Sequence, residues 1–137
     1  MPMRYISTPS LRFLTLLLFL ALPTAQAGQS VNLETTMKNM GLAYKQAHRA
    51  EDSDSLLRHL DELAVLTDAA RQASFPEDKA ELFRQGLDEV RAAIDEAQAA
   101  VRADDQALAR QHLARIDDLR KQYHRERRVS WWRILFG

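Results

Sequence analysis

Residues 78–105 read DKAELFRQGLDEVRAAIDEAQAAVRADD. Leu82, Phe83, Leu87, Val90, Ile94, Ala97 and Val101 recur at helical intervals, so one face of a long helix is apolar. Asp78 can cap its start, and Ala103-Asp104-Asp105 supplies a turn and the cap of a following helix. Gly86 sits inside the pattern at a helix cost of about 1 kcal/mol relative to Ala, which suggests that the position needs room.

The same reading extends upstream. Asn32 can cap a helix whose inward positions are Leu33, Met37, Met40, Tyr44 and Ala47, ending near Ala50. Glu51-Asp52-Ser53-Asp54 is a turn with capping groups; beyond it Leu56, Leu60, Leu63, Thr67 and Ala70 mark a second helix, stopped by Ser74-Phe75-Pro76. Downstream of the quoted stretch, Leu108, Leu113, Ile116, Leu119 and Tyr123 carry a fourth pattern to about Arg128. No stretch alternates with period two. Four helices with short connections predict an all-α, antiparallel up-down-up-down four-helix bundle over residues 28–128.

The residues before the bundle have another character. Arg4 and Arg12 form a basic leader, Phe13 to Leu22 is an uncharged apolar run, and Ala25-Gln26-Ala27 offers small residues for cleavage, so residues 1–27 read as a signal peptide. A retained N-terminal anchor is the alternative; the apolar run is short against the ~20 residues of a span. No Arg-Arg pair precedes it, so the twin-arginine route is not indicated. Removing Arg4 and Arg12 leaves 17 basic against 19 acidic residues, a net charge of −2. This balance gives no footprint for a nucleic acid. The chain has no cysteine, which excludes disulfides, covalent c-type haem attachment, iron–sulfur clusters and thiolate zinc sites.

Two side chains stand at one level of the expected bundle. Met37 lies about 7 Å in from the start of the first helix, and His124 about 6 Å from the end of the last. Phe83 comes to the same end from the third helix, and the second helix arrives there with Ala69, Ala70 and Ala73. His124 falls within about 20° of Leu113 on the helical wheel, on or beside the inward stripe. A thioether and an imidazole facing each other across a core are a pair that ligates haem iron in electron-transfer proteins. Taken singly, His124 also reads as a semi-exposed histidine beside Arg125, Arg127 and Arg128, and Met37 as core filler.

Three segments carry a resemblance. Leu33-Glu34-Thr35-Thr36-Met37, Leu82-Phe83-Arg84-Gln85-Gly86, and Leu119-Arg120-Lys121-Gln122-Tyr123-His124 with Arg128 resemble the corresponding parts of the soluble periplasmic cytochrome b562 family, and the likeness covers roughly Val31 to Arg128. It implies one non-covalent b-type haem per chain, ligated by Met37 and His124. It further implies that Phe83 packs on the haem face, that Met40 is an apolar contact one turn beyond the ligand, and that Arg120 and Arg128 support the propionates. Two departures are visible: Leu87 replaces a second aromatic of the family, and the connection containing Phe75-Pro76 is shorter and poorer in proline.

Other chemistry finds no support. His48, His59 and His112 fall on three helices and read as surface residues, Asp104-Asp105 and Asp117-Asp118 suit a cap and a solvated face, and no phosphate loop or nucleophile motif is present. Residues 129–137 form an aromatic and apolar tail. Its Trp131, Trp132, Ile134, Leu135 and Phe136, following a basic run, suit a membrane surface or a membrane-bound redox partner; folding back beside His124 and a disordered end are the alternatives. The expectation is a periplasmic electron carrier, not an enzyme, exchanging electrons with donor and acceptor proteins. The competing reading is a haem-free periplasmic bundle acting as an adaptor or chaperone, with Met37 and His124 merely packing.

Overall fold

Four helices make up the computed structural model, which describes residues 30–136, with side chains described for 30–125. They are α1 (Leu33–Arg49), α2 (Ser53–Arg71), α3 (Ala80–Arg102) and α4 (Gln106–Phe136), and the described residues contain no strand. The expected signal peptide, residues 1–27, lies outside the described residues.

Each boundary has a local cause. The Asn32 side chain accepts the Thr35 N–H at 3.0 Å and starts α1, and Asp52 accepts the Ser55 N–H at 2.7 Å and starts α2. The adjacent aspartates of the last turn divide their work. Asp104 takes a left-handed φ of 57°, while the Asp104 and Asp105 N–H groups donate to the Val101 and Ala100 carbonyls, a Schellman closure of α3 with Asp in glycine's usual place. Asp105 then accepts the Leu108 N–H at 2.9 Å and opens α4.

Two boundaries differ from expectation. Asp78 does not cap α3: Glu77–Lys79 form a turn closed by Lys79 N–H on the Pro76 carbonyl, Lys79 holds the cap position without a side-chain capping bond, and the helix begins at Ala80. At the other end, α4 continues past Arg128 to Phe136, because no helix breaker intervenes before Gly137. The side chains of Arg128 and of the tail lie outside the described residues.

Leu56, Leu60, Leu63, Ile94, Leu113 and Leu119 are the largest fully buried apolar side chains, joined by Ala43, Ala47, Ala93, Ala97 and Ala109. Leu82 and Leu108 face outward, 38% and 39% exposed. In α3 the inward stripe runs instead through Gly86, Leu87 and Val90, and in α4 the inner place four residues before Leu113 is held by Ala109, 1% exposed. Thr67, fully buried, satisfies its hydroxyl on the Leu63 carbonyl at 2.7 Å.

Among the described residues consecutive helices pack closely, α1 on α2, α2 on α3 and α3 on α4, while α1 and α4 do not share that close backbone packing. The α2–α3 seam is tied by Arg71 to Asp88 at 2.6 Å, Arg91 to Asp68 at 3.2 Å and Gln98 to Asp61 at 2.6 Å. Between α1 and α4, Arg110 donates to the carbonyls of Ala47, His48 and Ala50, binding the end of α1 to the first turns of α4. The α1–α4 seam is therefore fastened at one end of the bundle.

Candidate functional site

At the other end the seam opens into a cleft of about 200 Å³, partly open to solvent. Met37, Met40, Gly41 and Tyr44 line it from α1, and Ile116, Leu119, Arg120, Tyr123 and His124 from α4. Phe83, Gly86, Leu87 and Val90 close it from α3, and Leu63 from α2. Met37 to Tyr44 covers seven residues, so the cleft penetrates about 10 Å along α1. Its walls are overwhelmingly apolar, as a macrocyclic cofactor requires.

Six of the seven residues singled out from the sequence lie on this one cleft: Met37, Met40, Phe83, Leu87, Arg120 and His124. The seventh, Arg128, is in α4 with its side chain outside the described residues. Met37 and Met40 are half-buried on one wall; His124 stands on the facing helix and is exposed at the rim. The expected small-residue wall is absent. Ala70 and Ala73 are buried without lining the cleft, and α2 contributes Leu63 instead.

Gly86 shows what its place in α3 is for. A Cβ built there would lie 2.8 Å from Cδ1 and Cε1 of Tyr123 and 2.9 Å from Cγ, so the ring rests directly on the α3 backbone. The Tyr123 hydroxyl donates to Glu89 Oε1 at 3.2 Å, fixing the far edge of the ring. The residue preceding His124 is thus locked between two helices. Gly41 is a different case: a Cβ there would meet nothing within 4 Å, so this stretch of the α1 wall is open.

Phe83 is held from outside the cleft by a residue the sequence reading used only as a helix stop. Phe75 stacks on it with ring centroids 5.4 Å apart, and Arg84 lies over the Phe75 ring at 5.9 Å. Tyr44, read as a core position, is a half-buried wall residue stacked on His48 at 6.2 Å, and burial together with Asp117 raises its hydroxyl pKa. Asp117 does not sit on a freely solvated face. Lys121 and Arg120 both bond to it and hold its carboxyl below the ordinary carboxylate range.

Two of the remaining three histidines are partly covered. His48 is exposed, while the side chains of His59 and His112 are only 21% and 24% exposed, near Glu62 and Glu96. Among the described residues no three His, Cys, Asp or Glu side chains converge on a metal-sized point, and no helix is long and apolar enough to cross a membrane. A cofactor fits the cleft better than a bare ion does. The donor set is one thioether and one imidazole on facing helices, the walls are apolar, and the wall at Gly41 is open.

A four-helix bundle with an end cleft between a methionine of its first helix and a histidine of its last defines a cofactor-binding class of helical protein. Residues 32–128 match the family model described as Cytochrome b562. The chain belongs to the cytochrome b562 family, a family of haem-binding electron carriers with b-type haem. No match was found among curated proteins or among solved structures.

Proposed function

We propose that the protein carries single electrons in the periplasm on one non-covalent haem b, whose iron Met37 and His124 would hold in the cleft. The observation that supports this is the convergence of both side chains, from opposite ends of the chain, on one apolar cleft. The bound iron would supply one-electron chemistry, and methionine ligation raises its potential. The protein's part is to place the Met37 sulfur on the α1 wall, present the His124 imidazole from α4, and exclude water with Leu63, Leu87, Val90 and Leu119. Phe83, stiffened by Phe75, lines the cleft and would pack against the bound group. With Met37 and His124 both holding the iron, the bound group would serve electron transfer.

The half-open cleft favours electron exchange at its rim, where His124 and Arg120 are exposed. Arg120 is the cation of the cleft lining, and it is paired with Asp117. Delivery to or from a membrane-bound partner falls to the tail, through Trp131, Trp132, Ile134, Leu135 and Phe136, by interfacial contact. Unchanged liposome association after deletion of residues 130–137 would remove that role.

Haemin titration followed by reduction tests the central reading. A sharp, low-spin Soret spectrum is expected, with its six-coordinate character lost in Met37→Ala and in His124→Ala. A colourless mixture would overturn the assignment and leave the haem-free adaptor as the better account. Rapid passage of haem to an apo-acceptor would indicate haem transfer instead.

A further inference from the structure

Arg120 is the guanidinium that lines the cleft beside His124, and two of its nitrogens are already engaged. Its Nε and Nη2 lie 3.0 and 2.7 Å from Asp117 Oδ1, while Lys121 Nζ lies 2.6 Å from Asp117 Oδ2. The Asp117 side chain is 20% exposed, against 50% for Arg120 and 57% for Lys121. One sheltered carboxylate, three and four residues before its partners on the same helix, thus holds the cleft-lining Arg120 and the adjacent Lys121. A ligand carboxylate arriving there meets a neutralised arginine and the negative charge of Asp117.

We propose that Asp117 is a specificity-determining residue of the cleft, withholding Arg120 and Lys121 from the carboxylates of an anionic tetrapyrrole. Binding then depends on apolar walls and axial side chains and only weakly on the ligand's acid groups. This rests on the haem reading above, and the two fail separately. Absence of any low-spin complex sinks that reading; the present inference is decided by a ratio of affinities.

The experiment titrates the purified apo-protein with ferric haem and with its dimethyl ester, delivered in one co-solvent, and compares dissociation constants. In the wild type the diacid and the diester bind within about threefold of each other. Asp117→Asn tightens the diacid by about 3- to 10-fold, the range expected for releasing two exposed ion pairs, and leaves the diester unchanged. Adding Arg120→Gln to Asp117→Asn removes most of that gain, whereas a merely structural Asp117 would weaken both ligands alike. Equal effects on diacid and diester, or no change in their ratio, would overturn the inference.

Discussion

Replacing each helical glycine by alanine should move stability in opposite directions. At Gly41 the added methyl meets nothing within 4 Å, so only the helix term operates, and the apo-protein gains about 0.5–1 kcal/mol. At Gly86 the same gain of about 1 kcal/mol is opposed by a Cβ at 2.8 Å from a ring that cannot simply swing away. Contact reaches Cγ, at the base of the Tyr123 ring, and the hydroxyl is held by Glu89. Overpacking of this kind costs about 1–3 kcal/mol, which leaves Gly86→Ala destabilised by about 1 kcal/mol. For a domain of this size that is a fall in Tm of about 4–8 °C. The decisive assay is a double-mutant cycle in urea. With Tyr123→Ala as background the clash is gone, so Gly86→Ala should stabilise by about 1 kcal/mol, a coupling of about 2 kcal/mol. Equal stabilisation by Gly86→Ala in both backgrounds would refute the claim that the glycine exists to seat the ring.

Arg110→Ala removes charge-assisted bonds to the Ala47, His48 and Ala50 carbonyls and should cost about 1–2 kcal/mol in urea unfolding, with haem titration unaffected because the contact is at the far end. Asp104→Gly should raise Tm by a few degrees, about 0.5 kcal/mol, by relieving a left-handed φ of 57°. Asp117 and Asp52 have carboxyls lowered by hydrogen bonds, from Lys121 and Arg120 and from Ser55 respectively, so their stabilisation is present above the ordinary carboxylate pKa of about 3.9 and is lost as pH falls through their lower folded values. An Asp52→Asn, Asp117→Asn double variant should therefore show a flatter fall of the urea midpoint between about pH 5 and pH 2 than the wild type.

Helix number, order and most boundaries were legible because capping chemistry is local: Asn32, Asp52 and Asp105 each bond a backbone N–H three residues ahead. Asp78 misled because Pro76 places it inside a turn, where the chain does not yet have helical geometry. Leu82 and Leu108 misled because a wheel reads leucine as inward wherever it lies near the stripe, whereas the neighbours decide the rotation; Gly86 and Ala109 are the residues that pack. At the site, single residues on helix ends could be placed by depth. The partnerships could not, since Tyr123 on Gly86, Phe75 on Phe83 and Asp117 on Arg120 depend on side-chain direction and helix rotation.

Those partnerships also explain why a cleft exists in a bundle that otherwise closes. Near the α1–α2 turn, Ala43, Ala47 and Ala109 are almost wholly buried and Arg110 spans from α4 to the end of α1, so the seam is filled by small side chains and a polar tie. Toward the other end α1 offers Gly41 and the flexible Met37 and Met40, which leave space. The residue on α4 large enough to fill it is Tyr123, and the notch at Gly86 draws its ring onto α3, where it forms a wall. A side chain at position 86 would push that ring away from the α3 backbone. Gly86→Ala should therefore weaken haem binding as well as folding, and Tyr123→Phe, which keeps the ring and loses only the Glu89 bond, should preserve most of the affinity. If instead Gly86→Ala binds haem as tightly as the wild type while losing stability, the ring has somewhere else to go and the notch does not keep the cleft open.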